Sequence, residues 1–257
     1  MQPIYAPGTS LLHRLHPLTK VVGAALVIVA IYLLPWLLAP LALFGMLLML
    51  AALSGVADRF LRTALRVLLP ITISLFVIQG ILFPPPGSTP ISLGPINLPL
   101  EGLEFAFLTS TRLLAFTGTF LLLLQTTHPA DLVFALTERG LPRSIGYILL
   151  VSLQIVPDMS ARTTAILEAQ RSRGLETQGG LRRVRAIVPL VGPLVVGALV
   201  DVEERAMALE SRAYTAPGLK SSLRQLVDST GQRVARLLML LTTVALIAGR
   251  IALFFLT

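Results

Sequence analysis

Residues 21–57 read VVGAALVIVAIYLLPWLLAPLALFGMLLMLAALSGVA. Between Lys20 and Asp58 this makes 37 consecutive residues without a formal charge. As one helix the run would extend ~55 Å, far more than the ~30 Å hydrocarbon core of a bilayer, so it must fold back on itself. Pro35 and Pro40 bracket the natural turn, because each disfavours helix in the residue before it. Two membrane crossings are therefore predicted, about Val21 to Leu38 and Leu41 to Ala57.

The rest of the chain agrees with lipid as solvent. Of 257 residues 54% are hydrophobic and only 13% charged, with a mean hydropathy of +0.81, too little polar surface to cover a soluble globule. A net charge of +8 would suit a nucleic-acid partner, but such a domain would not carry long uncharged stretches, and membrane topology explains the charge better. There is no cysteine, hence no disulfide framework and no thiolate metal site. The opening ~20 residues contain Pro, Gly, two His, Arg14 and Lys20 ahead of any apolar run, so no removable signal peptide is expected.

Beyond Ala57, Arg59, Arg62 and Arg66 recur at three-and-four spacing and share a helix face, and Leu68 to Phe83 reads as a third crossing. Pro84 to Gly102, proline-rich and without Lys or Arg, reads as an irregular loop. A fourth crossing runs from about Phe105 to Gln125 and carries Arg112; Thr126 to Asp131 then looks like a helix start with Pro129 in its first turn. From Thr126 to Arg236 the chain holds most of its charge. The apolar stretches inside it, Ser144 to Pro157 and Ala186 to Val200, fall short of the ~20 residues needed to span and run unbroken into charged helix. Long helices at or below the membrane surface fit better there. Leu237 to Thr257, carrying Arg250, supplies a fifth crossing.

Orientation follows from the cations. Of 21 Lys and Arg, two lie within the proposed crossings and the other 19 fall on one side if the N-terminus is inside. Seven crossings would place the basic Arg162 to Arg185 segment outside, and are disfavoured. The expected fold is thus an all-α polytopic protein of about five transmembrane helices plus a module of long amphipathic helices. Residues 1–125 form a membrane domain, 126–236 a cytoplasmic module and 237–257 the C-terminal transmembrane helix, in the cytoplasmic membrane with the N-terminus inside.

No catalytic or cofactor set is legible. The only lysines, Lys20 and Lys220, do not follow Gly, so ATP cannot be held by a Walker-type loop. His13 and His16 are three apart but lack a nearby carboxylate, a poor metal site and a better structural one. Glu203-Glu204 resembles the paired glutamates of some intramembrane proteases, but Ala208 stands where the companion Arg would be. Arg112 and Arg250 are costly in hydrocarbon and should pair inside the bundle with carbonyls or with Thr109, Ser110 or Thr242, or face a partner. A self-contained secondary transporter is the alternative reading. It would place acidic residues in broken midplane helices, whereas the proposed crossings contain no Asp or Glu except Glu104 at one rim.

The informative feature is a repeated helix end. Glu168-Ala-Gln-Arg-Ser-Arg-Gly174 closes one charged stretch and Met207-Ala-Leu-Glu-Ser-Arg-Ala-Tyr214 another, the central arginines 39 residues apart. The second stretch is amphipathic, with Leu199, Val202, Ala206, Leu209 and Ala213 at three-and-four spacing. Either end alone is an ordinary terminus. Together they offer two guanidinium forks, permanently charged, to two copies of one partner.

On these residues the sequence resembles the transmembrane T component of energy-coupling-factor (ECF) transporters, ABC importers of cobalt, nickel and vitamins. Gly8 to Lys20 is similar to the family's opening, with His16 where Asp is commoner, and Thr126 to Leu132 and Glu168 to Gly174 match its style. Its two Ala-Arg-Gly signatures map onto Ser172-Arg173-Gly174 and Ser211-Arg212-Ala213: both arginines are kept, Ser replaces Ala twice, and Ala213 replaces the second Gly. The resemblance implies a non-enzymatic coupling subunit without cofactor. Two ABC ATPase subunits would dock on those two motifs, a small substrate-binding membrane S component would supply specificity, and the lipid bilayer, not nucleic acid, would be the surrounding partner.

Overall fold

A computed structural model describes residues 8, 10–34, 36–79, 90–93, 96–174, 188–214, 216, 218 and 226–256. The chain is an all-α membrane protein. In order come α1 (Leu11–Arg14), α2 (Pro17–Leu33), α3 (Ala39–Leu53), α4 (Ala57–Val77), strands β1 (Pro90–Leu93) and β2 (Ile96–Pro99), α5 (Leu100–Thr126), α6 (Pro129–Glu138), α7 (Arg143–Ser172), α8 (Val188–Ser211) and α9 (Thr230–Leu256). It divides into two compact units, Met1–Arg139 with Leu226–Thr257, and Gly140–Gln225.

In the first unit the 37-residue run breaks as its prolines require: α2 ends at Leu33 and α3 starts at Ala39 with Pro40 in its first turn. Both are short apolar helices, whereas α4, α5, α7 and residues 230–253 of α9 are long and apolar enough to cross a bilayer. Two boundaries differ from the sequence reading. The basic stretch with Arg59, Arg62 and Arg66 is not separate from the third crossing but forms its first turns, since nothing between Ala57 and Val77 ends the helix, not even Pro70. Helix α7 meets the length and composition of a span, because it continues unbroken past Pro157.

Within the predicted Pro84 to Gly102 loop, residues 90–93 and 96–99 form two strands. β1 and β2 pair antiparallel, with Pro90 opposite Pro99, Ile91 opposite Leu98 and Leu93 opposite Ile96. The two prolines stand at the strand ends, where a missing N–H costs the ladder least; residues 80–89 and 94–95 lie outside the described residues.

The core of this unit is built where α5 presents small residues to α3 and α4. Ala106, Ala115 and Gly118 are buried along α5, and Ile31, Phe44, Leu47, Ala51, Phe60 and Leu122 fill the space around them. Phe44 and Phe60 stack with ring centroids 5.8 Å apart, directly over Gly118. A Cβ at Gly118 would lie 3.2 Å from both rings, so the glycine sets how closely α5 approaches. Within lipid, where burying apolar surface gains little, such close packing holds helices together. Three threonines of α5 turn inward on their own helix: the hydroxyls of Thr111, Thr119 and Thr126 donate to carbonyls three or four residues back.

Candidate functional site

The second unit carries both arginine motifs. Helix α7 ends at Ser172 and the next residue but one, Gly174, takes a left-handed φ of +87°. Its N–H donates to the Arg171 carbonyl at 2.9 Å, and the Arg173 N–H donates to that of Gln170 at 3.1 Å. Helix α8 ends the same way. Ala213 adopts φ +55° and its N–H donates to the Glu210 carbonyl at 2.9 Å, while the Tyr214 N–H reaches back to Leu209 at 2.9 Å, completing a Schellman cap. Ala213 is the only non-glycine residue at positive φ among the described residues. The alanine therefore accepts the glycine conformation, at a cost of about 1 kcal/mol.

Both serines of the motifs are spent locally: Ser172 Oγ donates to the Glu168 carbonyl and Ser211 Oγ to that of Ala208. Arg173 and Arg212 each follow as the half-helical last residue. Both are exposed, and neither has an ion-pair partner among the described residues.

Three contacts fix how α7 and α8 run. Tyr147 packs on Tyr214 with centroids 5.5 Å apart, Asp158 faces Arg205 at 3.8 Å, and Arg162 donates to Asp201 at 2.8 Å. Partners advance along one helix as they retreat along the other, so the pair is antiparallel. Arg212 thus lies near the start of α7 and Arg173 at its far end, on the order of 35–40 Å away at 1.5 Å per residue. The arginines point to opposite ends of one braced unit.

The family described as CbiQ, cobalt transport protein, matches residues 8–223. The energy-coupling factor transporter transmembrane protein EcfT of Heliobacterium modesticaldum is 33% identical over 237 residues, covering 88% of either chain. The chain belongs to this ECF transporter transmembrane family. EcfT proteins of Bacillus subtilis, 31% identical over 95% of either chain, and of Thermosediminibacter oceani, 28% identical over 86% of this chain and 87% of the relative, are similar along nearly the whole length.

In this family member the membrane unit holds a polar cluster that motif reading did not reveal. His16 caps α2 by accepting from the Leu18 N–H at 3.3 Å, and its backbone N–H donates to Gln232 Oε1 at 2.7 Å. Arg236, buried, lies 3.3 Å from the same His16 Nδ1 and donates to Asp228 at 2.6 Å. Arg233 and Arg139 approach the same carboxylate at 3.3 and 3.7 Å. Burial, helped by Arg236, holds the His16 pKa below its ordinary 6.5, and the Arg236 hydrogen bond holds Asp228 below the usual carboxylate range. One signal was present in the sequence: Asp228 is the only acid after Glu210.

His13 bonds Ser10 at 2.7 Å, so the two histidines have separate structural partners. Lys20 Nζ donates to the carbonyl of Thr126 at 2.7 Å, placing a cation on the C-terminal end of α5. Arg112 is half-buried with its Nε lacking a hydrogen-bond partner among the described residues, and Arg250 is exposed on α9. The expected pairings with Ser110 and Thr242 are not made: Ser110 Oγ is itself without a partner among the described residues, and Thr242 Oγ1 donates to the Met239 carbonyl.

Proposed function

We propose that this chain is the non-catalytic coupling subunit of an ECF-type ABC importer, transmitting the ATP-driven motion of two ATPase subunits to a substrate-binding membrane S component for vitamin or metal-ion uptake. In this reading Ser172-Arg173-Gly174 and Ser211-Arg212-Ala213 are the ATPase-docking elements. Residues 126–236 act as the coupling module on the cytoplasmic side of the plasma membrane, with the N-terminus on the same side. The observation that carries the proposal is the pair of like-capped helix ends, each exposing one arginine, at opposite ends of an antiparallel pair. Such an arrangement suits two copies of one kind of partner, and a guanidinium without an ion-pair partner is available for a carboxylate or for carbonyls in a groove. Because α7 and α8 are braced to each other, force applied at either tip passes along both. Tagged protein co-expressed with its ATPases is expected to co-purify with them, and Arg173→Glu with Arg212→Glu to abolish this. Retained assembly and transport in that double variant would refute the docking assignment.

A further inference from the structure

The cation cluster of the membrane unit borders a groove that the coupling role does not use. Helices α2 and α9 run parallel: His16 meets Gln232 at their beginnings, and a turn or two deeper a Cβ at Gly23 would lie 3.7 Å from Met239 Sδ. Between them opens a groove of about 380 Å³. Its walls are ordered by depth. Arg233 and Arg236 open the α9 side, and Leu237 and Leu240 follow at three-and-four spacing on the same face; Leu18 and Val22, four apart, line the α2 side. Arg139, from the end of α6, overhangs the polar end.

Charge decides what fits. Asp228 is shared among three guanidiniums, and even with Glu138, which lines the adjoining hollow, the mouth is left cationic. Arg236 is committed to Asp228 and His16, but the side chains of Arg139 and Arg233 are 58% and 66% exposed and free to turn to a second anion. Leu237 and Leu240 are more than half exposed despite being apolar. A ligand for this site needs an anionic head and an aliphatic tail, stacked in the order that a bilayer stacks them.

We infer that this groove binds one anionic phospholipid, its phosphate held by Arg139 and Arg233 and an acyl chain lying along Leu18, Val22, Leu237 and Leu240. The lipid would cover the outer seam between α2 and α9, the two helices that join the N- and C-terminal parts of the membrane unit.

The test uses purified full chain reconstituted in phosphatidylcholine nanodiscs doped with phosphatidylglycerol, then released for native mass spectrometry. Phosphatidylglycerol adducts should be retained in preference to phosphatidylcholine. Arg139→Gln with Arg233→Gln should cut that retention about 25-fold, roughly fivefold for each arginine, whereas the charge-preserving pair Arg139→Lys with Arg233→Lys should largely keep it. Leu240→Trp, which changes no charge but fills the groove, should also expel the lipid, with the unfolding temperature of each variant checked alongside. Equal retention of both lipids, or loss in the Gln variant without loss in Leu240→Trp, would overturn the site in favour of diffuse surface charge. Displacement of the adduct by free glycerol phosphate would overturn it as well, because an anion site alone would then suffice.

Discussion

Arg162 and Asp201 are joined across 2.8 Å, each eleven residues before the arginine that ends its helix, Arg173 on α7 and Arg212 on α8. The pair sits at the same station on both helices and braces them at a fixed crossing. Arg162→Asp is expected to loosen that crossing, lowering transport severalfold while leaving ATPase co-purification intact, because the tips are untouched. The swap of Arg162→Asp with Asp201→Arg should recover most of the loss, and transport assays on the three variants decide it.

The two tips are predicted to act separately. Arg173→Glu or Arg212→Glu alone should leave one docking end in place, so that complexes with a single ATPase copy accumulate. Mass measurement of the purified assemblies distinguishes this from all-or-none loss.

Ala213 occupies a left-handed backbone position in an L-residue. Ala213→Gly should therefore raise stability by about 1 kcal/mol, and Gly174→Ala should lower it by a similar amount, since each exchanges the same conformational cost. Thermal unfolding in detergent measures both. A destabilised Ala213→Gly would mean that the alanine side chain contributes packing not evident in the cap.

Acid should weaken the membrane unit in two steps. The His16 pKa is depressed in the folded protein, so the unfolded chain binds more protons; stability is complete above the ordinary value of 6.5 and declines as pH falls below it towards the folded value. Protonation would remove the acceptor for the Leu18 N–H and set a cation against Arg236. Asp228 is likewise depressed, and its contribution is lost only below the ordinary value of 3.8. His16→Asn, which can still cap α2, should remove the first step and leave the second; unfolding temperatures from about pH 2 to about pH 8 at ~0.5 pH spacing test this.

Gly118 lies against two stacked rings, so Gly118→Val should force α5 outward at a cost of about 1–3 kcal/mol or more. Phe44→Leu in the same chain should restore part of that stability by vacating the space. The two variants and their combination form a cycle readable by thermal unfolding.

The sequence by itself determined the solvent, the class and the candidate arginines. A run of 37 uncharged residues can be stable only in lipid and only if folded back at Pro35 and Pro40. The helix-ending arginines were legible because capping is local, set by residues within one turn. Tertiary structure alone decided what depends on distance along the chain: that α7 and α8 run antiparallel and so hold Arg173 and Arg212 apart, that Gly118 sits under Phe44 and Phe60, and that His16 meets an arginine 220 residues away. No pattern of period 3.6 encodes which face of one apolar helix meets another, since in a membrane every face is apolar and only close packing and buried polar contacts choose the partner.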